Sequence, residues 1–153
     1  VADADEDETF MALALAEAVA AGERHEVPVG AVVVVAGRVV AVAGNEREAA
    51  ADPTAHAEVL ALRRAAAAAG TWRLEGATVY ATLEPCPMCA GALIAARVGR
   101  LVFAAADPKA GACGSLYNLC ADPRLNHEVE VEAGLAAGAA GDLLRAWFAS
   151  RRA

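Results

Sequence analysis

An α/β fold, with a central five-stranded sheet flanked by helices, is predicted by three observations. Short valine-rich runs alternate with longer runs rich in alanine and leucine, and glycine or proline marks most of the junctions between them. The residues able to bind metal fall where a strand gives way to a helix, which is where open α/β sheets form their ligand sites. Crossovers between parallel strands are right-handed by default. The 153 residues are one domain's worth of chain, with no internal repeat.

Residues 1–8 hold five acids (Asp3, Asp5, Glu6, Asp7 and Glu8) and are expected to form a flexible tail ahead of a single domain over 9–153. From Thr9 to about Ala21, Phe10, Leu13 and Val19 recur at near-helical spacing among good helix formers, and Gly22 ends the run. Val27 to Ala36 and Arg38 to Ala43, with Gly37 between them, read as a hairpin of two largely buried strands. Gly44-Asn45 closes the pair as a turn. Glu46 to Ala51 is a polar loop, and the helix that follows runs to about Ala69, where Gly70 stops it.

Gly76 to Leu83 is the third strand, Cys86 to Ala96 a helix, and Arg100 to Ala105 the fourth strand. Asp107 to Ser115 is rich in turn formers and reads as a surface loop. Asn126 to Glu132 is the fifth strand, with His127 a structural polar residue, and Leu135 to Ala149 is a final amphipathic helix weakened at its start by Gly138 and Gly141.

The formal charge is -7, an unusual balance for a nucleic-acid binder. Setting aside the acids of the first eight residues leaves fifteen acids against thirteen bases, so only a local basic surface decides the matter. The acidic start lacks the positive region of a secretory signal, and no run of about eighteen apolar residues is available to span a bilayer. No membrane association is expected, and the chain reads as cytoplasmic, where cysteines stay reduced.

The chemistry concentrates in Asp52-Pro-Thr-Ala-His-Ala-Glu58 and Leu83-Glu-Pro-Cys-Pro-Met-Cys89. His56 and Glu58 lie roughly 200° apart around an ideal helix, so they converge only near its N-terminal end. Pro53 suits the first helical position and Asp52 or Thr54 a cap. Cys86 opens the second helix between two prolines, where the positive end of the helix favours the thiolate form that binds metal. His56, Cys86 and Cys89 are thus three zinc ligands, leaving a fourth position for water, and Glu58 serves as a proton carrier.

Two closed alternatives compete with this open site. A four-cysteine site would need Cys113 and Cys120, but six residues separate them, outside the usual spacing. A redox CxxC leaves His56 and Glu58 without a purpose. Cys120 reads as a buried apolar residue, and Arg63 and Arg64 as solvated side chains or phosphate contacts.

The motifs around His56 and Cys86, together with Glu26 to Ala31, Ala90-Gly-Ala92, Arg97 to Arg100, Gly111 to Leu116 and Asn126-His127, closely resemble the bacterial tRNA-specific adenosine deaminases of the cytidine deaminase-like superfamily. The resemblance runs from about Phe10 to Arg152 and implies a three-layer α/β/α fold around a mixed sheet, a homodimer, and one zinc ion per subunit. It implies hydrolysis of the wobble adenosine to inosine in an arginine tRNA with an ACG anticodon. Water adds to C6 of adenine while Glu58 moves the proton to N1 and then to the departing amine.

By the same resemblance Asn45 hydrogen-bonds the base, Val29 and Ala31 form the pocket, and Asp107 and Lys109 hold the anticodon strand. Phe148 matches an aromatic near the RNA groove, with Trp147 packed inward. Arg151 and Arg152 add charge beside those rings, a combination suited to splayed single-stranded bases. Ala57 and Pro85 complete the expected substrate contacts. The expected partner is a tRNA anticodon stem-loop, with no DNA. Free-base guanine or cytosine deaminases share the metal motifs, so the 107–116 loop and the Arg151-Arg152 end separate the two activities. A non-catalytic zinc or RNA-binding protein is the remaining alternative.

Overall fold

The computed structural model describes residues 4–152. Ten elements follow one another: α1 (Ala4–Glu23), β1 (Gly30–Val35), β2 (Arg38–Gly44), α2 (Ala57–Ala69), β3 (Thr78–Leu83), α3 (Pro87–Ala95), β4 (Arg100–Ala105), a short 3-10 helix (Leu119–Ala121), β5 (Glu130–Ala133) and α4 (Ala137–Arg152). The strands form one sheet in the order β2-β1-β3-β4-β5. β1 runs antiparallel to both β2 and β3, whereas β3, β4 and β5 are mutually parallel, so the sheet is mixed.

Alternate strand residues bury on opposite faces. Ala31, Val33, Val79, Ala81, Leu101 and Phe103 pack on α2 and α3, and Val32, Val34, Tyr80, Val102 and Ala104 pack on α1 and α4. Both faces being covered explains the nearly continuous apolar runs of the central strands. The result is the expected three-layer α/β/α arrangement. Gly30 fixes the closeness of the α1 layer: a Cβ there would stand 2.0 Å from the Ala14 carbonyl oxygen. Among the described residues no helix is long and apolar enough to cross a membrane.

The start of the chain departs from expectation. α1 begins at Ala4, five residues before Thr9, and Asp7, assigned to the tail, is buried. Its carboxylate accepts a bidentate pair of bonds from Arg100 at 2.9 and 2.7 Å and a third from the Tyr80 hydroxyl at 2.6 Å. The acids of the first turn also favour the positive end of the helix. Residues 1–3 of the expected tail lie outside the described residues.

Smaller shifts have local causes. β1 starts at Gly30 because the Val29 N–H bonds the Val27 carbonyl at 2.8 Å, a turn that breaks the strand. The first three residues of β2 are exposed, so that strand is less buried than its valines suggest. β5 is confined to Glu130–Ala133, because the preceding Val129 N–H bonds the Cys120 carbonyl instead of a strand. His127 is structural, as expected, its Nε2 lying 2.7 Å from the Val98 carbonyl. α4 extends through Arg151 and Arg152, making them helical and not part of a loose tail.

Candidate active site

The helix that carries His56 begins later than expected, and that difference builds the site. Asp52 Oδ1 accepts bonds from the Thr54 N–H at 2.8 Å and the Thr54 hydroxyl at 2.7 Å, closing a turn that keeps Pro53 out of the helix. α2 therefore starts at Ala57, with His56 as an extended N-cap (φ -74°, ψ 151°). An extended His56 escapes the 200° separation that a helical one would have from Glu58. Cys86 caps α3 in the same way (φ -73°, ψ 174°), with Pro87 at the first helical position.

The two helix N-termini bring three ligand atoms together. Those of His56, Cys86 and Cys89 all lie within 4.8 Å of one another. His56 Nδ1 is 3.7 Å from Cys86 Sγ and 3.5 Å from Cys89 Sγ. Tetrahedral zinc with its usual bond lengths requires S···N separations of about 3.6 Å, so the group fits such an ion. Cys113 and Cys120 are not part of this group; their sulfurs lie 3.8 Å apart, buried beside the 3-10 helix.

The electrostatics prepare the Cys86 thiolate as a ligand and hold Glu58 as a group able to carry a proton. Hydrogen bonding from Cys89 and His56 lowers the Cys86 thiol to about 4, despite burial. Cys89 shifts upward because it is the donor to that thiolate and is itself buried. The hydrogen bond to Cys86 raises His56. Glu58, in the first turn of α2, is buried, and desolvation pushes its carboxyl upward.

His56, Ala57, Glu58 and Cys86 line one cavity with Val29, Asn45 and Asp107, while Cys89 is buried beneath them. Asn45 is a turn residue, its Oδ1 accepting the Arg47 N–H at 3.0 Å, and its buried side chain borders the cavity. Ala31 does not reach the cavity. It is fully buried in the sheet, paired with Ala43 and Ala81, and Val27 takes the wall position instead. Pro85 is also buried outside the lining, its carbonyl accepting the Ala112 N–H at 2.8 Å.

Two grooves adjoin the cavity, with Phe148 lining both. One holds Asp107, Lys109 and Arg152; the other holds His25, Arg47 and Arg151. Phe148 is exposed, whereas Trp147 is half-buried, with the Arg151 guanidinium 4.4 Å over its ring. Asp107 Oδ1 accepts the N–H groups of Lys109 and Ala110 at 3.0 and 3.2 Å, so it shapes its own loop. Arg64 is engaged elsewhere, by Glu46 at 2.7 Å and the Val42 carbonyl at 2.9 Å, and Arg63 is exposed away from the cavity beside Trp72.

Five wall residues were not foreseen from sequence: Val27, Arg47, Leu83, Glu84 and Ala110. Glu84 is the informative omission, since a carboxylate directly after the apolar strand Thr78–Leu83 signals a specific buried partner.

The profile of the MafB19-like deaminase family matches residues 5–151. A tRNA-specific adenosine deaminase of Bacillus subtilis (strain 168) is 50% identical over 147 residues, covering 96% of this chain and 91% of its own. A tRNA:A34 deaminase, solved in a study of A-to-I editing at the wobble position of transfer RNA, superposes with a TM-score of 0.86 at 48% identity, over 89% of this chain and 99% of its own. A guanine deaminase from Nitrosomonas europaea superposes with a TM-score of 0.82 at 28% identity, over 97% and 86%.

Proposed function

We propose that this chain, which belongs to the tRNA-specific adenosine deaminases and is a hydrolytic deaminase, converts adenosine to inosine at the wobble position of an anticodon, in an arginine tRNA with an ACG anticodon. The observation that carries the proposal is the continuity of the His56, Cys86, Glu58 cavity with two grooves that combine Phe148 with arginine and lysine. A free base has no use for such grooves; an unstacked RNA strand does.

His56, Cys86 and Cys89 would hold one zinc ion, which when bound supplies a water that ionises near neutral pH. Glu58 would take a proton from the attacking water and deliver it to N1 of adenine as the oxygen adds to C6. Glu58 would then carry the second proton of the added water to the amine, the C6–N bond breaking as the C6 carbonyl forms, so that ammonia leaves and the product is inosine. The Arg47 N–H occupies Asn45 Oδ1, so the Asn45 amide nitrogen is the side-chain donor available to the base. The Ala57 N–H, at the open end of α2, is a backbone donor for the base or the attacking water.

Phe148 offers a stacking face to a neighbouring base, and Lys109, Arg151 and Arg152 offer charge to phosphates. A homodimer belongs to the same proposal, supported by the exposed Trp72 and the apolar groove it forms with Leu62, Leu74 and Ala92.

A parallel assay tests the proposal. The purified protein is expected to hold about one zinc per chain, to scatter light as a dimer, and to form inosine only at the wobble position of an ACG arginine tRNA transcript. Free guanine, cytosine and adenosine in separate reactions should release no ammonia. Ammonia from guanine with an untouched tRNA would reassign the substrate while leaving the metal chemistry intact.

A further inference from the structure

We infer that Glu84 is the positioning residue of the substrate groove, holding the 107–115 loop in register with the metal-binding helix. The inference rests on the function proposed above, and it adds a cavity-wall residue that acts through the loop it holds, both carboxylate oxygens being taken up by that loop.

Glu84 stands between the last residue of β3 and the Pro85-Cys86 start of α3, so its backbone is fixed relative to the ligands. The side chain is buried and turned into the loop. Oε1 accepts the Asp107 N–H at 3.0 Å and the Ser115 hydroxyl; Oε2 accepts the N–H groups of Cys113 and Ser115, each at 3.0 Å. One carboxylate therefore satisfies three backbone donors spread over nine residues. Without it those donors would be buried or poorly solvated with no acceptor, a costly state that a different loop path would relieve.

The loop is built around that carboxylate. A Cβ on Gly111 would stand 2.3 Å from Glu84 Cδ, so the backbone passes directly over the acid. The Asp107 and Ala110 that border the cavity, and the Lys109 that borders the neighbouring groove, are carried by this latched segment. Glutamine is close in shape, yet its amide nitrogen donates and cannot accept, so Glu84→Gln opposes donors to donors at one of the two oxygen positions. Gly111→Ala displaces the loop by an independent route, leaving Glu84 chemically unchanged. Ser115→Ala removes a single bond and is the mildest of the three.

Amide hydrogen exchange by mass spectrometry on peptides spanning 107–118 tests the latch directly, alongside zinc content and steady-state kinetics. Both Glu84→Gln and Gly111→Ala should speed exchange of that segment and retain zinc. Both should raise KM about tenfold, with kcat within about twofold of wild type, and Ser115→Ala should shift KM in the same direction by less. Kinetics use whichever substrate of the parallel assay the wild-type protein accepts, so a wrong substrate assignment leaves the latch testable. Unchanged exchange in Glu84→Gln would overturn the latch. Faster exchange with unchanged KM would overturn the positioning role, leaving Glu84 as a structural residue. Loss of zinc together with a fall in kcat would transfer its role from the groove to the metal site.

Discussion

Glu58→Gln is expected to yield a folded protein that keeps its metal and turns over at least about a thousandfold more slowly, within the range ascribed to a positioned proton carrier. Glu58 belongs to the first turn of α2 and lines the cavity, but it is not among the three clustered ligand atoms. Glutamine preserves its volume inside a closely packed helix end, so no cavity is opened and the metal should stay. What is lost is the ability to take a proton from water and pass it to the base. Cys86→Ala gives the contrasting result, losing metal and activity together, because only two of the three protein ligands remain. Metal content by plasma emission and inosine formation, measured on the same samples, separate the cases. Wild-type turnover in metal-loaded Glu58→Gln would sink the assignment of Glu58 as the proton carrier.

The sites that were legible in sequence are those whose parts are close together along the chain. His56 and Glu58 are two residues apart, Cys86 and Cys89 three, and each pair begins a helix after proline-bearing turns, so element and chemistry announce one another. The three central strands, β1, β3 and β4, were readable because burial on both faces gives them nearly uninterrupted apolar residues. Where expectation failed, the deciding partner was remote. Nothing near Asp7 distinguishes it from its solvated neighbours, since its partners are Tyr80 and Arg100. Ala31 followed the resemblance into the pocket, yet strand alternation turns it into the sheet core while Val27 and Val29, before the strand begins, form the wall. The late start of α2 came from one side chain: Asp52 caps a turn instead of a helix.

The same topology resolves the conflict between acidic composition and a nucleic-acid substrate. Arg100 opens β4, whereas Asp107 follows its end, so the Asp7 cluster and the cavity mark opposite ends of the parallel strands. A strand of this length separates them by roughly 16 Å, well beyond the Debye length of about 8 Å at physiological salt. Under the proposed function an RNA would meet Arg47, Lys109, Arg151 and Arg152 at the mouth, screened from the acids at the start of α1.

Asp7→Asn should cost about 3 to 5 kcal/mol of stability, as expected when one partner of a buried ion pair is removed. Its melting temperature would then fall by roughly 6 to 20 °C for a chain of this size. The substitution leaves the Arg100 guanidinium, with a side chain only 13% exposed, facing Glu132, whose own side chain is 56% exposed, and it weakens the acceptor of the Tyr80 hydroxyl. The pH dependence gives a second check. The hydrogen bond from Arg100 is the largest reason the Asp7 carboxyl titrates below its ordinary 3.8. Asp7 stabilisation is therefore complete above that value and disappears as pH falls through the folded-state value, where the native carboxylate finally protonates. Urea midpoints of wild type and Asp7→Asn should differ by a constant amount from pH 7 down to about 5, and the gap should narrow below about 4. Deleting residues 1–8 should reproduce the neutral-pH loss, whereas a truncated protein as stable as wild type would show that α1 needs none of its acidic first turns. Because the cluster lies at the far end of the sheet, zinc content and kcat below the melting transition should be preserved in both variants, separating a stability role from a catalytic one.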